Sequence, residues 1–224
     1  MSGLNIIEYN NINFYHITAI DNLLSILQSE GLYSDWENQQ RGIQYTTIGF
    51  DHIKQRRLNK KIPNLPEYNE YMVGHFVPFY FAVRSPMLYV IYKRSPGLTY
   101  NDGDQNIIYL VSRIENLVNN NISWIFTDHN AAFEYAKFYN RIDDLVFVDW
   151  NAVRTRQWAR ADGMFTDIKS KKQAEVLVYQ FFHWSLVDEI VVHNSNVQQR
   201  VENILQCFPA LVKPVRVERS WYYD

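Results

Sequence analysis

The chain has 224 residues, of which 47% are hydrophobic and 21% charged, and its formal net charge is −2. That length can bury a substantial core, and the balance is that of an ordinary globular protein. A single cysteine, Cys207, excludes a disulfide framework and a multi-cysteine zinc site. With no apolar run long enough to span a membrane and no charged-then-apolar leader, a cytoplasmic protein without membrane contact is expected.

Asn13-Phe14-Tyr15-His16-Ile17-Thr18 alternates around aromatics and predicts a short strand. Thr18-Ala19-Ile20-Asp21 reads as a capping box with Asp in place of Glu. Ile20, Leu23, Leu24 and Leu27 follow at helical spacing, with Gly31 as the stop. His16 and Thr18 then stand beside a helix N-terminus, where backbone N–H groups favour an anion; a structural histidine suits the same place. Residues 33–47 read as irregular, Ile48 to Leu58 as a short basic helix, and Lys60 to Glu70, with Pro63 and Pro66, as a loop.

Val77 to Val83 predicts a strand, with Pro78 at its start, where a lost N–H matters least. Arg84-Ser85 makes a turn, and Pro86 opens a helix to Tyr92. Ile107 to Val111 and Ile122 to Phe126 read as strands flanking a helix over Arg113 to Val118, and Thr127 to Ala132 is expected to cap a helix to Tyr139. A strand over Asp188 to His193, a helix over Asn196 to Phe208 and a strand over Val212 to Val217 complete the chain. Neither linker-like composition nor an internal repeat interrupts residues 1–224, which are expected to form one domain.

The charge is unevenly spread. Residues 52–61 carry Lys54, Arg56, Arg57, Lys60 and Lys61 and no acid; residues 151–175 carry six basic against three acidic side chains. A basic face on a near-neutral protein and two solvated loops are both compatible with this. Between Gln173 and Tyr179, alternation places Gln173, Glu175, Leu177 and Tyr179 on one side of a strand and Ala174, Val176 and Val178 on the other. A carboxylate inside such a strand needs a reason to be there, either a salt bridge to Lys172 at the strand's end or a part in catalysis. The 16% aromatic content fits planar ligands, nucleobases or a tyrosine-rich core.

Phe79-Tyr80-Phe81 with Arg84-Ser85-Pro86-Met87-Leu88, the opening Tyr15-His16-Ile17-Thr18 with Asp21-Asn22-Leu23, and Gln173-Ala174-Glu175 together resemble the DarT family. These are bacterial toxins that transfer ADP-ribose from NAD to bases of single-stranded DNA. Thr127 to Ala132, and Asp149-Trp150 with Trp158, are also similar to family segments and occur in the same order. Val83 departs from the pattern, which has proline or another small residue there.

The resemblance implies an α+β ADP-ribosyltransferase fold, with two facing, mostly antiparallel sheets split around an NAD cleft, and helices. It implies Glu175 as the catalytic carboxylate on the ribose 2′-hydroxyl. Arg57, or the adjacent Arg56, would neutralise charge on NAD or lie against the target base. His16, Thr18 and Asn22 would hold NAD, and Tyr80 would stack on nicotinamide or pack the core. Arg84, Arg154, Trp158, Arg160 and Lys172 would bind the acceptor strand by pairing phosphates and stacking a base, with Met87 packing the turn. The resemblance also implies NAD as a co-substrate, no need for a metal, and a DarG-like macrodomain antitoxin as partner. Thymine is favoured over guanine. The same chemistry on RNA or protein, or an inactive nucleic-acid-binding module, are the alternatives.

Overall fold

The computed structural model describes residues 9–156, 158 and 167–223. In chain order its elements are β1 (Asn13–Ala19), α1 (Leu23–Gln28), β2 (Gly31–Tyr33), α2 (Asp35–Arg41), α3 (Asp51–Asn59) and β3 (Phe76–Tyr80). Then come α4 (Pro86–Tyr92), β4 (Ile107–Arg113), α5 (Ile114–Asn119), β5 (Trp124–Thr127), β6 (Phe138–Tyr139) and α6 (Trp150–Arg154). The chain closes with α7 (Asp167–Lys171), β7 (Glu175–Tyr179), β8 (Phe181–His183), β9 (Glu189–Val192), α8 (Ser195–Gln206) and β10 (Val215–Val217).

Among the described residues, eight strands are linked in the order β10-β9-β4-β1-β3-β7-β5-β6, and β2 pairs separately with β8. All neighbours are antiparallel except β10 and β9 at one edge. β1 pairs with β4 from Asn13↔Arg113 to Ala19↔Ile107, and β3 with β7 from Phe76↔Tyr179 to Tyr80↔Glu175. Between β1 and β3, however, the one pair is Tyr15↔Tyr80. The strands therefore form two halves that part on either side of that pair, which is the split the sequence led us to expect.

Pro78 supplies a physical reason for the split. It stands in the middle of β3 rather than at the strand's start, and it has no N–H to give a neighbour. In a strand the N and O of one residue point to the same edge. The Pro78 carbonyl is bonded by the His16 side chain of β1, with His16 Nδ1 at 2.9 Å, so the missing N–H faces β1 as well.

The strand alternation holds in the packing. Ala174, Val176 and Val178 join Phe14, Phe79 and Leu110 on one face, covered by Leu23 and Leu27 of α1 and by Val201 and Leu205 of α8. On the opposite face, Ile17, Tyr109 and Val191 meet Leu88 and Ile91 of α4. Leu177 packs there with Ile62 and Leu65 of the 60–72 loop. Ser85 caps α4 by accepting the Leu88 N–H at 3.2 Å, with Pro86 at the first helical position, as predicted.

Three local expectations are corrected. Thr18 caps nothing: its Oγ1 accepts from Asn22 Nδ2 at 2.9 Å, and the α1 region begins without a side-chain cap. Residues 33–47 contain helix α2, whose Ser34 accepts from the Glu37 N–H and whose C-cap Gly42 is left-handed at φ 64°. Thr127 to Ala132 starts no helix but forms turns leading into β6.

Gly31 opens β2 instead of ending a helix, and a Cβ there would lie 2.4 Å from the Phe182 carbonyl oxygen of the paired strand and 2.5 Å from the Phe181 ring. Since backbone cannot yield cheaply, Gly31→Ala is expected to cost about 1–3 kcal/mol, the usual range for overpacking. Thermal unfolding should show a Tm lowered by several degrees; an unchanged Tm would mean that β2 and β8 separate freely.

Candidate active site

Glu175 is the first residue of β7 and is 1% exposed. Both carboxylate oxygens are engaged. Arg57 Nη1 donates to Oε2 at 2.7 Å, and the Ala131 backbone N–H donates to Oε1 at 3.0 Å. A carboxylate without such partners would not be tolerated at this depth. Arg57 is the buried arginine of α3, 7% exposed, whereas Arg56 points to solvent. The structure thus separates the two candidates that sequence register left open. Burial disfavours the guanidinium's charge, but Glu175, by charge and hydrogen bond, outweighs it and raises the Arg57 pKa. Among the described residues, Arg57 Nη2 is buried with no hydrogen-bond partner.

The turns after β5 are what hold the carboxylate. Thr127 Oγ1 donates to the His129 carbonyl at 2.6 Å and accepts the Glu175 N–H at 3.2 Å. Asn130 Oδ1 accepts the Ala132 N–H at 2.9 Å, and its Nδ2 donates to Gln173 Oε1 at 3.3 Å. Lys60, just past α3, donates to the Phe133 carbonyl. Ala131 was not picked out from the sequence, because its contribution is a backbone N–H. The Thr127 and Asn130 side chains, which favour local turns, were the available signal.

Glu175 and Arg57 line a cleft of about 240 Å³ together with His16, Thr18, Asn22 and Tyr80. All six residues expected to act on NAD therefore line one cleft, from β1, the turn just before α1, α3, β3 and β7. Apolar side chains such as Ile17, Ile48 and Phe50 line it beside these polar and charged groups, a combination that suits a small-molecule site. Met87, expected to pack the turn, also lines it.

His16 donates from Nδ1 to the Pro78 carbonyl, since a carbonyl can only accept. Burial pushes its imidazole below the ordinary range, against the opposing effects of that bond and of Asp35. In the neutral ring Nε2 is then an acceptor. Asn22 is fully committed: Nδ2 donates to Thr18 Oγ1 and to the Thr46 carbonyl, both at 2.9 Å, while Oδ1 accepts the Thr46 N–H at 2.7 Å. It positions the segment after α2, and Thr18 retains a hydroxyl hydrogen. Burial and the Glu175 carboxylate keep the Tyr80 phenol protonated, its pKa raised despite Arg57. Tyr45 donates to Asp35 Oδ1 at 2.6 Å and accepts from Lys54, tying α2 and α3 into the cleft wall.

The residues expected to bind nucleic acid are placed differently. Arg84, Arg154 and Lys172 line a second cavity, along β1 up to Tyr15 and along the chain beyond Tyr80. Lys172 is 1% exposed and donates to the Val153 and Thr155 carbonyls at 2.7 and 2.8 Å, so it pins the end of α6. The segment before it is helix α7. Trp158 is 6% exposed and packs edge-on against Tyr89, with its indole N–H bonded to Tyr223 Oη at 3.0 Å; its ring is a core element here, not an open stacking platform. Arg160 lies outside the described residues.

Known proteins resemble this chain in sequence and fold. A family model described as "ssDNA thymidine ADP-ribosyltransferase, DarT" matches residues 15–223. A DNA ADP-ribosyl transferase of Thermus aquaticus is 40% identical over 213 residues, covering 93% of this chain and 88% of the relative. That of Thermus sp. strain 2.9 is 36% identical over 210 residues, covering 93% and 95%. The structure of Thermus sp. 2.9 DarT in complex with ADP-ribosylated ssDNA superposes with a TM-score of 0.86 at 34% identity, covering 95% of this chain and 96% of that one. The same protein in complex with NAD+ gives 0.82 at 33% identity, covering 95% and 98%.

Two measurements test the site as a structure. Arg57→Met strands the Glu175 carboxylate and should cost about 3–5 kcal/mol in denaturant unfolding. Adding Glu175→Gln should restore part of that loss, and additive costs would show that the pair is not coupled. His16 supplies a pH dependence. Its folded pKa is depressed, so the unfolded chain binds more protons, and the stability present above about pH 6.5 is lost as pH falls below it. His16→Asn should make that acid-side decline shallower.

Proposed function

The chain belongs to the DarT family of DNA ADP-ribosyltransferases, and on that premise we propose that its cleft transfers ADP-ribose from NAD to thymine in single-stranded DNA. It is an NAD-dependent enzyme with an α+β ADP-ribosyltransferase fold. The observation that carries the reading is the buried Glu175 carboxylate, held by Arg57 and the Ala131 N–H in the wall of a cleft that His16, Thr18 and Tyr80 also line. The choice of thymine rests on the family description.

The residues suit a dinucleotide. Arg57 Nη2 is an unpartnered buried donor, His16 Nε2 an acceptor, and Thr18 keeps a hydroxyl hydrogen. The co-substrate supplies an ADP-ribosyl group whose bond to nicotinamide breaks as a neutral base leaves, and positive charge builds on the ribose as in glycoside hydrolysis. Glu175 faces that charge with a carboxylate whose position is fixed before reaction, so no reorganisation is needed. Each carboxylate oxygen has a second lone pair beyond its bonds to Arg57 and Ala131. One accepts the ribose 2′-hydroxyl, and one takes the proton that the attacking ring nitrogen of the base must lose. Tyr80, kept protonated and next to Glu175 in the strand register, presents its ring to nicotinamide.

As a member of this family the enzyme acts as a toxin, and a DarG-like macrodomain antitoxin removes the mark. It works in the cytoplasm, where NAD and replicating DNA meet. Among the described residues no helix is long and apolar enough to cross a membrane, and no cluster suits a metal ion.

Mass spectrometry of short oligonucleotides, each lacking one base, tests the acceptor after incubation with NAD. An ADP-ribosyl increment is expected wherever thymine is present, and modification of a thymine-free strand would overturn the choice of base. Glu175→Gln keeps the shape but removes the charge, which should lower transfer roughly 10²–10³-fold, or about 3–4 kcal/mol. A further loss of roughly 10²–10⁴ is expected if the same group takes the proton. Calorimetric affinity for NAD should change little. Transfer within tenfold of wild type would remove Glu175 from the mechanism.

A further inference from the structure

We propose that Lys60 is a positioning residue for the transfer reaction, one that fixes the orientation of Glu175 without touching it. This rests on the reading of Glu175 as the carboxylate that faces the reacting ribose. Lys60 does not line the cleft, and among the described residues it makes no ion pair. It acts through a turn. Asn130-Ala131-Ala132-Phe133 is a β-turn closed by the Phe133 N–H on the Asn130 carbonyl at 3.0 Å. Its second residue, Ala131, gives its N–H to Glu175 Oε1, and the Lys60 ammonium donates to the carbonyl of its last, Phe133.

These contacts close on themselves. α3 carries Arg57, which donates to Glu175 Oε2, and Lys60 follows just past the end of the same helix. Glu175 Oε1 leads to the turn, and the turn leads back through Lys60 to α3. Both donors that orient the carboxylate are thereby referred to one helix end. That end is itself held. The Lys60 N–H bonds to the Arg57 carbonyl at 3.4 Å, the Lys60 carbonyl accepts the Val73 N–H at 2.8 Å, and Lys61 bridges Met72. Without the lysine the turn keeps its ties to β7, from Thr127 to the Glu175 N–H and from Asn130 to Gln173, but loses this tie to α3. Arg57 and the Ala131 N–H are then free to shift independently, and the plane of the carboxylate with them.

The lysine is held there against its preference for water. Burial lowers its pKa, the Glu175 and Glu134 carboxylates oppose that, and Arg57 and Arg56 add to the lowering. A flexible lysine stem can carry its ammonium out to solvent; here it lies 5.3 Å from the centre of the Phe138 ring and reaches the turn. The Phe133 carbonyl also accepts the Ala136 N–H at 3.1 Å. Removing the lysine therefore orphans no acceptor, and its loss should register in the rate more than in stability. A carboxylate fixed in advance toward developing charge loses effect when its orientation spreads, and a misplacement of about 1 Å can cost about 10²-fold. The parts of the cleft wall that His16 and Thr18 supply are left as they were.

Steady-state transfer to a thymine-containing oligonucleotide, measured over a range of NAD concentrations with the full chain, tests the assignment. Lys60→Met should lower kcat about 10- to 100-fold and leave KM for NAD within about threefold, the pattern of a group that acts in the transition state alone. Lys60→Arg keeps a long cationic donor and should recover most of that loss. Thermal unfolding of both variants should stay close to wild type; a loss of rate that tracks a lowered Tm would make Lys60 a structural residue instead. Ala131→Pro supplies a second arm, since proline suits the second position of a β-turn and removes the N–H that Glu175 receives. In that background Lys60→Met should change kcat much less, because the link it supports is already broken. An unchanged kcat in Lys60→Met, a change confined to KM, no recovery in Lys60→Arg, or costs that simply add to those of Ala131→Pro would each overturn the proposal. If wild type transfers nothing to any strand, the enzymatic reading fails and takes this inference with it. If Glu175→Gln matches wild type, the role of Glu175 fails, and this inference again with it. If Glu175→Gln is impaired and Lys60→Met matches wild type, only this inference fails.

Discussion

The buried pair between Arg57 and Glu175 is the interaction on which the site depends. It joins residues 118 apart in sequence, and it ties α3, on the cleft wall, to the first residue of β7 in the sheet. Bringing both charges out of water is costly, so the pair persists only because the geometry is close and the remaining carboxylate oxygen has its own donor in Ala131. Replacing such a pair with apolar groups would often be neutral or stabilising. The pair is therefore weak evidence for stability. The same arrangement leaves one arginine nitrogen without a partner, which is a cost to the folded protein and an opportunity for a substrate oxygen.

The second constraint is the sheet that does not close. β1 and β3 each have a fully paired neighbour on the far side, yet meet at Tyr15↔Tyr80 alone. Proline in mid-strand would be disruptive in a continuous sheet, and here it lies where the ladder has already ended. His16 occupies the gap, satisfying the Pro78 carbonyl with a side-chain N–H instead of a backbone one. A residue expected to serve the ligand thus also keeps the cleft walls together, while burial, acting against that bond, lowers its imidazole pKa. The two cavities on either side of the Tyr15↔Tyr80 pair are consequences of one parting of strands.

Two of the aromatic clusters differ in their surroundings. Phe14, Phe79 and Phe182 pack against one another inside the core, with centroids 4.7 to 6.1 Å apart. Tyr89, Trp158 and Tyr223 pack together beneath the basic cavity, where Tyr223 also carries Arg84. Trp158 is thereby a packed ring, edge-on to Tyr89, and not itself an open surface for bases.

By itself the sequence determined most of the local elements and placed a carboxylate inside an apolar strand, which the family resemblance singled out. Alternation around Glu175, the Ser85-Pro86 helix start and the strand at His16 depend on period and turn chemistry, which act over a few residues and can be read there. It missed α2, whose signal is a Ser34 cap and a left-handed Gly42 without an apolar face, and it mistook the Thr127 to Ala132 turns for a helix cap. Both involve short polar side chains that serve caps and turns equally well. Only the tertiary structure decided that Arg57, not Arg56, meets Glu175, that a backbone N–H at Ala131 completes the site, and that Lys172 and Trp158 are buried. Those outcomes depend on which segments distant in the chain are packed against each other, and burial and pairing of a side chain are properties of that packing rather than of its neighbours in sequence.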